Sequence, residues 1–325
     1  MRLLLSSIHT YPAFGDAGSG LHPRRFPSGS GFHLHDLLAR GLAELGHDVF
    51  YLLPAGADKA LPRGVTLIPE LRYDVDLLHT ISSQDHDLVR EMQSRRGRWV
   101  TTCHLDLKVQ GKERRPMTGS WIFVSRTLAQ SHGSSRYVLN GLDPSDYIYS
   151  ETKEDYVLFM SAMDWAIEKG LDVALALSKR IGFKLVVAGT GSNYEIINRV
   201  GEMCLRGGAE YVGDVKGREK AELLAGAKAF LFPTKLDEAF GLGMVEALFS
   251  GTPVICSDKG ACPEVISPEV GFVCAGEQDY LAAINRLADV SPQACREKAL
   301  RDYHYLRMAT DYVAEYQKEI ARNGN

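Results

Sequence analysis

Two glutamates, Glu238 and Glu246, bracket seven uncharged residues in the stretch EAFGLGMVE. The apolar run AFLFPT before them is typical of a buried strand. The run GMVEALFSG after the first glutamate is typical of a helix that Gly251 ends. Residues 235–243 are therefore predicted to form a loop from the carboxyl end of a strand to the amino terminus of a helix. Glu246 is expected in the first turn of that helix.

Such a loop can bind an anion and hydroxyl groups together. In open α/β sheets, ligands bind beyond the carboxyl ends of the strands. Backbone N–H groups near Gly241, Leu242 and Gly243 would favour a phosphate, and a carboxylate accepts hydrogen bonds well from sugar hydroxyls. The alternatives are that Glu238 is a solvated loop acid and that Glu246 only complements the helix dipole.

Short apolar runs alternate with helical patterns throughout the chain, which favours parallel sheets flanked by helices. The runs that predict strands in the first half are RLLLSSI, VFYLLP, VTLIP, DVDLLHT, RWVTTC, WIFVS and RYVLN, and those in the second half are YVLFMSA, FKLVVAG, AEYVG, AFLFP, TPVIC and GFVC. The stretch GFHLHDLLARGLAELG predicts a helix that Gly46 ends, with an apolar face formed by Leu34, Leu37, Leu38, Leu42 and Leu45.

The two sets of strands predict two doubly wound α/β domains. The polar stretch GLDPSDYIYSETKEDY separates them. We expect one domain at 1–150, a second at 151–302, and a last helix at 303–325 that packs back on the first domain.

Composition narrows the class of protein. The 325 residues carry a formal net charge of −4, which argues against a nucleic-acid binder. No apolar run reaches the ~20 residues of a membrane span, and the first run is too short for a signal peptide. The six cysteines show no CxxC pair, so we expect a reducing, cytoplasmic location.

Basic and histidine-rich stretches have two interpretations each. The runs RRGRW and KERR could face an anionic acceptor or, at most, a peripheral membrane surface, but a solvated face is the simpler alternative. Most of the ten histidines lie in the first half. His33 and His35 are two positions apart on a predicted helix and point to different sides. No metal site is therefore predicted, and His79 is interpreted as a packed strand-end residue.

The segment PTKLDEAFGLGMVEALFSGTPVICSDKGACPEVI resembles the Glu-x7-Glu signature of retaining glycosyltransferases of family 4, which have the GT-B fold. Other stretches resemble that family in the same order along the chain: GSGFHLHDLLARGLAELGHDV, DVDLLHT, VTTCHLD, VSRTLA, VLNGLD, EKGLDVALAL and LVVAGTGSN. The resemblance implies two Rossmann-like domains that face a central cleft.

The resemblance also implies roles for individual residues. Glu246 would bind the nucleotide ribose, Glu238 the transferred sugar and Lys169 the diphosphate. His104 would contact the donor sugar from the first domain. The backbone of Gly241, Leu242, Gly243 and Met244 would hold the diphosphate, and the loop of Gly29, Ser30 and Gly31 would close on it.

The function implied is transfer of a hexose, with retention, from a nucleotide diphosphate sugar to a glycan, lipid-linked or small-molecule acceptor. UDP is the first choice of nucleotide, and no metal or other cofactor is expected. The family usually carries an arginine shortly before the lysine, and no arginine occurs between positions 156 and 168. Arg24, Arg25 or Lys235 could replace it. The alternatives are a non-catalytic nucleotide-sugar-binding module or partner subunit, a sugar-nucleotide epimerase and, remotely, an NAD-dependent oxidoreductase.

Overall fold

The computed structural model describes residues 1–7, 31–53, 64–81, 86–106, 111, 113–114, 116–117 and 119–322. These residues form two compact units. The first contains the chain up to Asp143 together with the chain from Asp302 onward, and the second is Pro144–Arg301. The chain therefore crosses from the first unit to the second within the polar stretch 141–156 and returns near its end.

The first unit is built on a six-stranded parallel sheet in the order β3-β2-β1-β4-β5-β6. Its strands are β1 Arg2–Ser6, β2 Asp48–Leu52, β3 Val65–Ile68, β4 Leu77–Thr80, β5 Trp99–Cys103 and β6 Trp121–Phe123. Its helices are α1 Gly31–Glu44, α2 His86–Ser94, α3 Arg126–Ser131 and α11 Tyr305–Arg322. Continuous apolar runs form these strands because a parallel sheet is covered on both faces; Leu3, Leu4 and Leu5 are fully buried.

Two details of the first unit differ from the predictions. Leu45 is 41% exposed, whereas the other predicted apolar residues of α1 are buried. The helix ends at Glu44, and Gly46 takes the left-handed conformation that ends it. The predicted strand RYVLN is wrong, because Tyr137 forms a single bridge to Phe123. The chain then turns away, and Leu142 pairs with His304 instead.

A buried polar cluster joins the first sheet to α11. His79, at the end of β4, is hydrogen-bonded through Nδ1 to the Tyr316 hydroxyl at 2.6 Å and through Nε2 to Thr102 Oγ1 at 2.7 Å. The Tyr312 hydroxyl also bonds Thr102 Oγ1, at 2.7 Å. Burial lowers the pKa of His79 to about 3. His79 is thus a packed, neutral strand-end residue with both ring nitrogens occupied.

We expect His79 to make stability depend on pH. The unfolded chain protonates this histidine below pH ~6.5, whereas the native chain stays neutral down to about 3. The free energy of unfolding should therefore fall as the pH drops through that window, by about 2 kcal/mol between pH 7 and pH 5 from this residue. Urea unfolding of the parent and His79→Gln at both pH values measures this. Between pH 7 and pH 5, the free energy of unfolding of the variant should fall by about 2 kcal/mol less than that of the parent. An equal fall in both proteins would contradict the low pKa of His79.

The second unit contains a six-stranded parallel sheet in the order β12-β11-β10-β7-β8-β9. Its strands are β7 Val157–Met160, β8 Leu185–Ala188, β9 Glu210–Gly213, β10 Ala229–Phe232, β11 Val254–Ser257 and β12 Gly271–Cys274. Its helices are α4 Leu171–Ile181, α5 Tyr194–Gly207, α6 Gly217–Gly226, α7 Leu242–Phe249, α8 Cys262–Val265, α9 Glu277–Asn285 and α10 Pro292–Asp302, whose last residue belongs to the first unit. All six strands predicted in this half are present.

Candidate functional site

The second sheet has a topological switch point between β7 and β10. The chain after β7 continues to β8 on one side of this pair, and the chain after β10 continues to β11 on the other side. The loops that follow β7 and β10 therefore leave a crevice at the carboxyl edge, where open α/β sheets bind ligands. Lys169 lies on the first of these loops and Glu238 on the second.

The structure brings Lys169 and Glu238 into direct contact. Lys169 Nζ forms an ion pair with Glu238 Oε2 and lies 5.3 Å from the centre of the Phe232 ring. The two loops pack closely here, because a Cβ at Gly170 would lie 2.1 Å from the Pro233 carbonyl oxygen. The ion pair is partly buried, with side-chain exposures of 23% for the lysine and 13% for the glutamate. A cation and a carboxylate thus face the crevice together.

The backbone of Glu238 is held by the loop after β11. The Ala261 N–H donates to the Glu238 carbonyl oxygen at 2.8 Å. Gly260 has a φ of +56°, and a Cβ there would lie 2.1 Å from the Glu238 nitrogen. Only glycine allows this approach. Three loops therefore fix Glu238 and Lys169.

The loop that carries Glu238 continues through Phe240 to the amino terminus of α7. Its N-cap, Gly241, has a φ of +90°, and a Cβ there would lie 2.3 Å from Met244 Cε. The Met244 N–H, which the resemblance assigned to the diphosphate, donates to the Gly241 carbonyl oxygen at 3.0 Å. The N–H groups of Gly241, Leu242 and Gly243 have no acceptor among the described residues. They remain suited to an anion.

Glu246 does not lie in the first turn of α7. The helix begins at Leu242, one residue earlier than the predicted start, because Gly241 provides the left-handed cap. Glu246 is therefore the fifth helical residue and is buried, with 3% side-chain exposure. Its Oε1 accepts from Lys220 Nζ at 2.8 Å and from the Tyr147 hydroxyl at 3.2 Å. Among the described residues, no hydrogen bond reaches Oε2, so this oxygen can accept from a ligand.

Removing Lys220 should destabilise the second unit. Lys220→Met leaves the Glu246 carboxylate buried without its cation, which costs about 3 kcal/mol of unfolding free energy. Denaturant unfolding of the parent, Lys220→Met, Glu246→Met and the double variant measures the coupling between the two side chains. The double variant should be more stable than Lys220→Met. Strictly additive losses would show that the pair does not interact.

In the first unit, the structure places two predicted residues side by side. A Cβ on Gly31, the first residue of α1, would lie 3.5 Å from the His104 ring. His104 follows β5, and burial lowers its pKa to about 4, so the ring is neutral at pH 7. Gly29 and Ser30 lie outside the described residues, as do Arg24 and Arg25.

The site also contains residues that sequence reasoning missed. Lys220 and Tyr147 hold Glu246 but are far from it in sequence, and nothing in their local patterns indicated this. Gly260 lies within the quoted family segment, so that resemblance could have drawn attention to it. Lys235, a candidate for the absent arginine, is instead paired with Asp172, at 2.7 Å.

Two findings concern metals and membranes. The described part of the chain holds no group of three or more histidine, cysteine, aspartate or glutamate side chains that could bind a metal ion. Among the same residues, no helix combines the length and apolar character that crossing a membrane requires.

Comparison with solved structures defines the fold class. AviGT4, a glycosyltransferase involved in avilamycin A biosynthesis, matches with a TM-score of 0.73 at 24% identity, over 99% of this chain and 98% of that chain. HepE of Anabaena, solved in complex with UDP, matches with a TM-score of 0.70 at 14% identity, over 98% of this chain and 100% of that chain. With its two parallel six-stranded sheets, the chain has the GT-B fold of glycosyltransferases.

Sequence comparison adds the family that the second unit matches. Residues 148–302 match the profile of the family "Glycosyl transferases group 1". An MMP α-(1→4)-mannosyltransferase of Mycolicibacterium hassiacum is 38% identical over 115 residues, which are 32% of this chain and 28% of that protein. The chain thus aligns with less than a third of that relative's length. The structural matches thus establish the GT-B fold, and the profile match adds a similarity of the second unit to group 1 glycosyl transferases.

Proposed function

We propose that this protein is a retaining glycosyltransferase of family 4, which moves a hexose from a nucleotide diphosphate sugar to an acceptor hydroxyl. The observation that carries the proposal is the contact of Lys169 with Glu238 at the switch point of the second sheet. It lies in the segment that matches the group 1 glycosyl transferase profile.

Donor binding follows from the geometry of the second unit. The ribose hydroxyls would donate to Glu246 Oε2, while Lys220 and Tyr147 hold the other oxygen. The diphosphate would accept from the N–H groups at the start of α7 and from Lys169. When the diphosphate binds Lys169, the Glu238 carboxylate can accept hydrogen bonds from the hydroxyls of the transferred sugar.

The chemistry requires stabilisation of a leaving diphosphate. Negative charge grows on the diphosphate as the bond to the anomeric carbon breaks, and Lys169 with the amide groups of Gly241–Gly243 would offset it. No protein nucleophile and no metal are proposed. The donor's own phosphate oxygen would take the acceptor proton, which accounts for retention. His104, neutral at pH 7 because its pKa is about 4, would orient the sugar through hydrogen bonds.

The donor and acceptor are proposed by class. UDP is the first choice of nucleotide, and the UDP complex of the fold neighbour HepE supports testing it first. Mannose is included among the sugars to be tested because the Mycolicibacterium relative is a mannosyltransferase. The acceptor would be a glycan, a lipid-linked sugar or a small molecule.

Thermal denaturation against a ligand panel tests the proposal. The panel contains UDP, GDP, ADP and TDP, their common sugar conjugates, and NAD. A ligand at a hundred times its dissociation constant stabilises the native state by about 2.7 kcal/mol. One nucleotide diphosphate should raise the melting temperature, and one of its sugar conjugates should raise it further. No shift with any diphosphate would contradict donor binding.

The absence of the arginine supports one alternative function, that of a nucleotide-sugar-binding module without catalytic activity. Such a module would show the same melting shift but no loss of donor. Donor hydrolysis or transfer, followed as release of free nucleotide diphosphate, separates the two. An epimerase would instead convert the donor sugar without releasing nucleotide.

A further inference from the structure

A cavity of about 670 Å³ lies in the first unit, at the amino-terminal ends of β5 and β6. Its lining includes Arg96, Arg98, Trp99, Ser120, Glu319 and Arg322. Strand β5 runs from Trp99 at this cavity to Cys103, immediately before His104. Five residues of strand span about 16 Å. The cavity is therefore at the opposite edge of the sheet from His104.

The charge of this cavity is positive. Three guanidinium groups and one carboxylate line it. The carboxylate, Glu319, is already engaged, because its two oxygens accept from Ser120 Oγ at 2.8 Å and from Arg136 Nη1 at 2.7 Å. Arg136, outside the lining, forms the shorter ion pair with Glu319, and Arg322 Nη1 lies 3.7 Å from Glu319 Oε2. The three arginines have no further acid among the lining residues.

Two of the three arginines keep free donors. Arg98 Nε donates to the Ile320 carbonyl oxygen at 3.1 Å, which fixes the side chain, and its two terminal nitrogens have no acceptor among the described residues. Arg96 donates from its guanidinium to none of those residues. Arg322 Nη1 makes a long bond of 3.4 Å to the Gly119 carbonyl oxygen. The free terminal nitrogens of Arg98 and the guanidinium of Arg96 can bind an oxyanion with paired hydrogen bonds.

The backbone of Arg96 is a second, independent observation. Its φ is +58°, which no other non-glycine residue shares among the described residues. The bonds Arg96 N to Gln93 O and Gly97 N to Met92 O, both 2.9 Å, form the motif that closes α2, in which glycine normally takes this position. An arginine here costs about 1 kcal/mol relative to glycine. The residue that destabilises the fold in this way, Arg96, is thus one whose side chain lines the cavity.

We propose that this cavity binds the phosphate group of a ligand. A phosphate monoester or diester presents several oxygens to the three guanidinium groups that line the cavity, and Arg pairs with phosphate more tightly than with neutral acceptors. The ligand is a free phosphate ester or the headgroup of an anionic lipid, which share this chemistry. The site is separate from the residues proposed for sugar transfer, since it lies at the opposite edge of the first sheet from His104.

Isothermal titration with glycerol 3-phosphate, and sedimentation with phosphatidylglycerol vesicles against phosphatidylcholine vesicles, test the proposal. The key variant is Arg96→Gly, which removes the cation and places glycine where the backbone prefers it. Its melting temperature should equal or exceed that of the parent. The matched control is Arg95→Gln, which removes a neighbouring charge that stacks on Tyr73 at 4.0 Å and does not line the cavity.

The parent should bind, and Arg96→Gly should bind about tenfold more weakly, which is roughly one charged hydrogen bond. Arg95→Gln should change affinity less than about twofold. Arg322→Gln gives a second removal of a lining cation and should also weaken binding. Binding of glycerol 3-phosphate with this pattern identifies a free ester, and binding of phosphatidylglycerol vesicles alone identifies a headgroup. The proposal fails if the parent binds neither, or if Arg95→Gln and Arg96→Gly weaken binding equally, since binding would then depend only on the overall positive charge of the surface.

Discussion

Lys169→Met should lower kcat for sugar transfer by roughly 10²–10³-fold, because a single charged group that stabilises a developing anion contributes on that order. Lys169 is the only lysine or arginine among the described residues that forms an ion pair with Glu238. The affinity for the nucleoside monophosphate, which lacks the second phosphate, should change much less. Initial rates at saturating donor and titration of both nucleotides measure the two effects.

The matched control for this variant is Lys235→Met. Lys235 lies on the same loop as Glu238 but pairs with Asp172, and both side chains of that pair are exposed. Its replacement should change kcat less than about threefold, as expected for an exposed pair. A loss as large as that of Lys169→Met would mean that Lys235 replaces the absent arginine. An active Lys169→Met protein would remove the lysine from the mechanism.

Glu246→Gln should weaken binding of the nucleotide donor by about 10- to 100-fold. Hydrogen bonds to a charged acceptor contribute about 1.5–3 kcal/mol, and the amide offers one acceptor oxygen instead of two. Lys220 would also lose its ionic partner, which lies 2.8 Å away. Titration of the parent and the variant with the best nucleotide diphosphate measures the change. The unfolding free energy of each protein is measured beside it, so that a loss of folding is recognised.

A change in the ligand isolates the ribose contact. The parent should bind the 2′,3′-dideoxy nucleotide poorly, and Glu246→Gln should weaken that binding little further, because the hydroxyls are already absent. Equal losses with ribose and dideoxyribose would place the effect elsewhere. Glu222→Gln, which removes an exposed acid of α6 paired with Arg218, is the control for a change of one charge. It should leave donor affinity unchanged.

Much of the fold could be predicted from the sequence, because parallel strands covered on both faces must be continuously apolar. Runs such as FKLVVAG and AFLFP met this condition and became β8 and β10. RYVLN met it as well but forms one bridge, since the chain is drawn away to pair Leu142 with His304. That competition depends on a residue more than 160 positions away, which no local pattern contains.

The sequence alone determined the types and order of the site residues: an acid after β10, a lysine after β7 and a glycine at the start of α7. It also placed them at strand ends, where this class of sheet binds ligands. These features can be predicted from the sequence because the conformation of glycine, the charge of a side chain and the spacing of apolar residues depend on residues close together in the chain. The roles of Glu238, Lys169 and His104 remain predictions for the experiments above.

Only the tertiary structure decided which side chains meet. The switch point between β7 and β10 brings Lys169 to Glu238 across 69 positions, and the packing of α6 on α7 brings Lys220 to Glu246. Arg96 and Arg322 likewise line one cavity from distant parts of the chain. Hydrogen bonds and ion pairs act over a few ångströms, whereas sequence patterns report on neighbours along the chain. Contacts between distant segments therefore follow from the order of the strands within each sheet and from the packing of the helices on it.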